Sequence, residues 1–152
     1  MGAEDIGSAG TATLVSPEDA WERLQSDPGA VLVDVRSDME YLMIGHAKGA
    51  VHVPWIDAPE WTVNPRFVAD IRKVLLGRRT SGRSARGQQF DAPLYLICRS
   101  GNRSRDAAAA LAEADIQDIH IVDGGFEGPL DSDHHRNTVA GWRYAGLPWE
   151  QC

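Results

Sequence analysis

Short apolar runs and longer stretches with helical spacing alternate through most of the chain. Val31-Leu32-Val33 leads into Asp34, Leu94-Tyr95-Leu96-Ile97 into Cys98, and Ile119-His120-Ile121-Val122 into Asp123-Gly124-Gly125. Runs of this length, closed by polar or turn residues, predict buried strands. Thr13-Leu14-Val15 and Val51-His52-Val53, the second closed by Pro54, predict two shorter ones. Ser16-Pro17-Glu18-Asp19 predicts a helix start, with serine as N-cap, proline in the first turn and acids at the positive dipole end. Ala20, Trp21 and Leu24 continue that helix for about ten residues, until Asp27-Pro28-Gly29 stops it. Phe67, Val68, Ile71, Val74 and Leu75 predict a second helix within residues 65–76, and the alanine-rich stretch 106–114 a third.

Strands alternating with helices in this way indicate an α/β protein whose parallel sheet is covered on both faces. Ligands in such sheets bind outside the carboxyl ends of the strands. Asp34, Cys98 and Asp123 all fall at such ends, which places a site at that edge. Between the elements, residues 77–91 are rich in Gly, Ser, Arg and Gln and predict a mobile loop. Residues 128–139 predict a second, polar loop, and residues 1–10 a flexible tail. A chain of 152 residues makes one domain with a substantial core.

The chemistry concentrates in Cys98-Arg99-Ser100-Gly101-Asn102-Arg103-Ser104, between the second buried strand and the alanine-rich helix. A cysteine there meets loop N–H groups and the positive end of a helix dipole, both of which favour the thiolate. Arg99 and Arg103 in the same turn attract a small oxyanion. A purely structural cysteine predicts apolar flanks, and a core rejects Arg-Ser-Gly-Asn-Arg. Either arginine also has a scaffolding alternative, pairing with Asp34 or Asp123. Ser104 reads as a helix-start residue first and a ligand second.

These residues resemble the active-site loop of the rhodanese family, the thiosulfate sulfurtransferases. Asp34-Val35-Arg36, Glu40-Tyr41, Gly45-His46, Gly49-Ala50 and Pro54 are similar to the family's N-terminal signature. Asp123-Gly124-Gly125-Phe126, Gly141-Trp142 and Ala145-Gly146-Leu147-Pro148 are similar to its C-terminal one. The resemblance implies a three-layer α/β/α fold, with a mostly parallel central sheet of about five strands flanked by helices. It implies a single rhodanese domain over residues 11–152. It also implies a sulfurtransferase that moves a sulfane sulfur from thiosulfate, or a similar donor, to cyanide or a thiol through a Cys98 persulfide. Cys98 is then the nucleophile and residues 99–104 the substrate loop. Asp34, Arg36 and Glu40 are supporting residues, with Arg36 and Glu40 read as an ion pair. The chain departs from the family pattern in two insertions, near residues 77–91 and 127–141, the second separating the Gly-Gly pair from Trp142.

Composition narrows the partners. A net charge of −7 argues against nucleic acid, leaving a small anionic sulfur donor and a thiol or cyanide acceptor, including a protein thiol. No apolar run approaches the ~18 residues of a membrane span. The chain begins without a basic, apolar leader, and its two cysteines form no disulfide framework. A cytoplasmic location follows as the expectation. His134-His135 beside Asp131 and Asp133 lack metal-site spacing, and no metal or cofactor is expected. Cys152 has a resolving or disulfide role open to it, beside incidental exposure. Two rival functions remain: a persulfide carrier or regulatory binding module, and a Cys-based phosphatase. The phosphatase reading wants Cys-x5-Arg, whereas Arg103 lies five positions after Cys98, a Cys-x4-Arg spacing one residue tighter.

Overall fold

The three buried runs form the middle of one parallel sheet. In a computed structural model, which describes residues 12–80 and 92–151, the strands are β1 (Thr13–Val15), β2 (Val31–Asp34), β3 (His46–Ala47), β4 (Val51–His52), β5 (Ile56–Asp57), β6 (Thr62–Val63), β7 (Leu94–Ile97), β8 (Ile119–Val122) and β9 (Trp149–Glu150). The helices are α1 (Pro17–Ser26), α2 (Phe67–Thr80) and α3 (Asn102–Glu113), with a five-residue π turn at Glu40–Ile44. The main sheet has five strands in the order β1-β8-β7-β2-β4, and every neighbouring pair is parallel.

Side chains on successive strand residues point to opposite faces, and that alternation divides the core. Val31, Val33, Leu94, Leu96, Ile119 and Ile121 pack with Phe67, Ile71 and Leu75 of α2 and with Ala107 and Leu111 of α3. On the other face Leu32, Tyr95, Ile97 and Val122 pack with Ala20, Trp21 and Leu24 of α1 and with Phe126 and Trp142. The result is the three-layer α/β/α sandwich. Each fully buried aliphatic side chain contributes roughly 1.5–3 kcal/mol, so the two apolar faces outweigh the few surface ion pairs.

The N-cap of α1 is as the sequence predicts: Ser16 Oγ accepts from the Asp19 N–H at 3.1 Å, and Pro17 occupies the first turn. The second helix corrects an expectation. It runs through Gly77 to Thr80, so residues 77–80 are helical and not loop. An interior glycine costs only about 1 kcal/mol against alanine, and burial of Ile71 and Leu75 anchors the helix before it. The predicted tail 1–10, the rest of the predicted mobile loop (81–91) and Cys152 lie outside the described residues.

The second insertion carries no helix or strand and closes on itself. Asn137 N–H donates to Glu127 O at 2.7 Å, and Trp142 N–H donates to Gly125 O at 2.8 Å. Trp142 therefore reaches the core despite the intervening residues. It is fully buried, its ring edge-on to Trp21 at 5.9 Å. The strand register aligns Asp34 with Ile97 and Leu96 with Ile121. Asp34, Cys98 and Asp123 thereby arrive together at one edge of the sheet.

Candidate active site

Cys98 is the first residue beyond β7, and the chain turns there into α3. Gly101 makes the turn with φ 121°, a conformation that L side chains rarely adopt. The Gly101 N–H consequently donates to Cys98 Sγ at 3.0 Å. The Ser104 N–H, in the first turn of α3, donates to the same sulfur at 3.4 Å. Two main-chain donors and a helix N-terminus thus converge on one atom, an arrangement that stabilises negative charge on sulfur. Cys98 is only 1% exposed, and its side chain belongs to the core on the α2/α3 face. The sulfur is accordingly both the rim of the core and the centre of the loop.

The loop is clamped from behind by the Gly-Gly turn after β8. Phe126 N–H donates to Cys98 O at 2.7 Å, and Glu127 N–H donates to Arg99 O at 3.0 Å. Gly125, at φ 64°, makes this approach possible. A Cβ there would lie 2.5 Å from Cys98 O and 2.7 Å from Arg99 O. The Asp-Gly-Gly-Phe stretch therefore positions Cys98 through backbone contact, which only a residue without a side chain permits.

The supporting residues are present but paired differently from expectation. Arg36 does not meet Glu40. Its Nη2 lies 2.7 Å from Asp34 Oδ2 and its Nε 3.0 Å from Asp34 Oδ1, and Nη2 also donates to Gly45 O. Both side chains are completely buried, and the guanidinium lies 4.7 Å from the Phe126 ring centroid. Asp34 and Arg36 are two apart near the end of β2, and burial forces each to take the nearest opposite charge. Glu40 is left for Arg103, which donates through Nη1 at 2.7 Å and Nη2 at 2.9 Å to its two carboxylate oxygens. Ser37 also donates to Glu40, from Oγ at 2.9 Å. Burial alone would raise the Glu40 carboxyl, but the Arg103 guanidinium and the Ser37 donors outweigh it and lower it from 4.5 to about 2. The same pairing, against burial, raises Arg103 further. The scaffolding alternatives Asp34 and Asp123 are not the partners of Arg103.

Glu40 begins the π turn, whose next residue, Tyr41, is stacked between two histidines. The His46 ring lies 3.8 Å from the Tyr41 ring and the His52 ring 4.5 Å. The Tyr41 hydroxyl donates to Ala50 O at 3.0 Å. This ring stack holds the turn that presents Glu40 to the loop, which gives His46 a structural place.

Arg99 is exposed, Ser100 half-buried and Asn102 exposed. Ser104 lies in the first turn of α3, and Gly101 occupies the N-cap position without a side-chain cap. Ser104 is fully buried, and its Oγ has no hydrogen-bond partner. Beside the loop lies an open cleft of about 400 Å³, whose lining includes Arg99, Arg103 and Glu40. Cys98 is not part of that lining. Three further lining residues, Trp61, Glu127 and Arg136, went unmarked in the sequence. Glu127 was detectable only as the residue after Gly-Gly-Phe, and Arg136 only as a basic residue within an insertion. Among the described residues, no group of three or more His, Cys, Asp or Glu side chains is arranged to hold a metal.

A three-layer α/β protein with a thiol cradled at a strand-to-helix turn defines the class. The model of the rhodanese-like domain matches residues 16–130, and the chain belongs to that family. It is 35% identical over 113 residues to the thiosulfate sulfurtransferase GlpE of Pseudomonas putida (strain GB-1), covering 74% of this chain and 80% of the relative. It is 32% identical over 138 residues to the protein of the same name from Actinobacillus succinogenes, covering 91% and 90%. The crystal structure of Rv0390 from M. tuberculosis is similar in fold, with a TM-score of 0.73 and 36% identity over 91% of this chain and 97% of that one. No helix among the described residues is long and apolar enough to cross a membrane.

Proposed function

We propose that this protein is a thiosulfate sulfurtransferase with Cys98 as its nucleophile. The observation that carries the reading is the convergence of the Gly101 and Ser104 N–H groups on Cys98 Sγ. In the first half-reaction the Cys98 thiolate attacks the outer sulfur of thiosulfate. The Sγ–S bond forms, the S–S bond of the donor breaks, and sulfite leaves with the electron pair of that bond. Sulfite is a weak base, so the departure needs no general acid, consistent with a loop that has no histidine. The product is a Cys98 persulfide anion, with total charge unchanged.

In the second half-reaction cyanide attacks the outer sulfur, the S–S bond breaks, and thiocyanate leaves while the Cys98 thiolate is restored. A thiol acceptor does the same, its proton passing to the transferred sulfur. The Gly101 and Ser104 N–H groups converge on the atom that carries the outer sulfur, so charge developing there would be met by fixed dipoles. Persulfidation adds one S–S bond, about 2 Å, to a side chain that is itself almost fully buried. That added reach brings the reactive sulfur further from the backbone. Arg99 offers its guanidinium to the anionic donor, and Arg103 acts first by holding the loop to Glu40. A reducing, cytoplasmic setting suits a thiol that must be free between turnovers.

Intact-mass spectrometry tests the proposal. Exposure to thiosulfate should add ~32 Da, and cyanide should remove it, as a ping-pong covalent intermediate requires. Cys98→Ser should abolish both the adduct and thiocyanate formation while leaving the fold intact. Thiocyanate formed by that variant at the wild-type rate would overturn the assignment. Many turnovers per molecule distinguish an enzyme from a persulfide carrier, and hydrolysis of p-nitrophenyl phosphate would instead favour the phosphatase reading.

A further inference from the structure

The buried residues of α3 are Ser104, Ala107, Ala108 and Leu111. The last three are apolar and belong to the core. Ser104 alone of the four carries a hydroxyl, and it is fully buried. Its Oγ is sealed from solvent and makes no hydrogen bond. A serine inside a helix ordinarily disposes of its hydroxyl on the carbonyl one turn back, and that bond to Ser100 O is not made. A buried polar group without a partner costs about 1–3 kcal/mol. Alanine, the strongest helix former, would avoid that cost, and positions 107–110 of the same helix are all alanine.

The position that keeps the hydroxyl is the one whose own N–H donates to Cys98 Sγ, at 3.4 Å. Cα–Cβ bonds in a helix tilt towards its N-terminus, which is the end where this sulfur sits. Rotation about that bond moves Oγ among three staggered positions beside the sulfur. A neutral thiol is a weak acceptor and gives the hydroxyl little to bond. A sulfur that carries charge is a strong one, since hydrogen bonds to ionised groups are roughly twice as strong as neutral ones.

We propose that the Ser104 hydroxyl is a catalytic donor to Cys98 Sγ, turning to that atom as negative charge develops on it in the second half-reaction. The proposal rests on the sulfurtransferase reading and deepens it. In persulfide formation the Cys98 thiolate gives up its charge: Sγ bonds to the outer sulfur, and sulfite leaves with the electron pair of the donor's S–S bond. A donor on Sγ weakens along that path. In sulfur transfer the direction reverses. Cyanide bonds to the outer sulfur, the S–S bond to Cys98 breaks, and its electron pair returns to Sγ while thiocyanate leaves. Persulfide anion and cyanide become thiolate and thiocyanate, so total charge is conserved. A donor on Sγ strengthens as that bond breaks, and a contact stronger in the transition state than in the ground state accelerates the step.

Single-turnover kinetics separate the two halves, with persulfide formation from thiosulfate followed by intact mass and its discharge to cyanide by thiocyanate release. Rates are compared on the pH plateau of each protein, so that both report fully ionised sulfur. Ser104→Ala should slow discharge by about tenfold or more, the size of one hydrogen bond to a charged group, and should not slow formation. Urea denaturation should show its stability held or raised, because an unpaired hydroxyl has left the interior. Ser104→Thr, which keeps the hydroxyl, should keep the wild-type ratio of the two rates. Equal slowing of both halves by alanine, or slowing of neither, would overturn the proposal, and so would a threonine variant with the ratio of the alanine one. A wild type that forms no persulfide would instead remove the sulfurtransferase reading itself.

Discussion

Arg103 and Glu40 meet in a two-pronged pair, 2.7 and 2.9 Å across, although 63 positions separate them in the chain. The pair joins the loop that carries Cys98 to the π turn after β2. Both side chains are largely shielded, with 23% and 19% of their surface exposed, so solvent screens the contact only partly. An arginine that local sequence offers to the substrate is thus already committed to the scaffold.

Arg103→Ala should therefore destabilise the protein by about 1–3 kcal/mol, the usual loss when a charge-assisted contact is removed and its partner left unpaired. It should raise KM for thiosulfate at the same time, because the loop loses its tie. A double-mutant cycle with Glu40→Ala, read by urea denaturation, should return a coupling of at least about 0.5 kcal/mol. Zero coupling would mean that the pair does not hold the loop.

The same pair fixes a pH dependence. The folded-state value of Glu40, about 2, lies below its ordinary 4.5. A depressed carboxyl contributes stability that is fully present above its unfolded-state value and lost as pH falls through its folded-state value. The stability difference between the wild type and Glu40→Gln should hold above pH 4.5 and shrink towards pH 2. Denaturation midpoints of the two proteins across that window check the slope, and parallel curves would contradict it.

Gly125→Ala should damage the site from outside it. A methyl group there would sit 2.5 Å from Cys98 O at a φ of 64°. Left-handed backbone and overpacking each cost roughly 1–3 kcal/mol. Thermal denaturation should show the loss. Thiocyanate formation should fall in kcat more than in KM, since the displaced atoms carry the nucleophile. An unchanged kcat would show that the Gly-Gly turn does not set the position of the sulfur.

Asp34→Ala should be among the most destabilising single changes, at about 3–5 kcal/mol, because it strands a charge in the interior. Arg36 is completely buried, and its Nη1 has no partner even with Asp34 present. Replacing both residues with apolar side chains should recover part of the loss. Equal stability of Asp34→Ala and the wild type would show that solvent reaches Arg36.

The strands at Val31, Leu94 and Ile119, the cap at Ser16 and the placement of Cys98 at a strand end were all legible in the chain. Each depends on residues within a few positions of one another, and hydrophobic periodicity reports such short-range order directly. The turn around Gly101 was legible for the same reason, since its N–H reaches a sulfur only three residues away. The end of α2 was misplaced because a glycine in a basic, polar stretch reads locally as a stop, whereas burial earlier in the helix carries it onward.

Ion-pair partners followed a different logic. Arg36 has Asp34 two residues before it and Glu40 four after it, and sequence spacing does not choose between them. The choice was made by the sheet, which buries Arg36 beside Asp34 and leaves Glu40 facing α3. Trp61 comes from the turn between β5 and β6, and Glu127 and Arg136 from the insertion after β8, and the three share a cleft only because the fold brings these two distant segments to one edge. Local sequence alone determined the buried strands, the helix starts and the place of Cys98 at a strand end, since all are written in neighbouring residues. Charge pairing and the shape of the cleft were decided by the tertiary structure, because Coulombic and steric contacts act through space and take no account of separation along the chain.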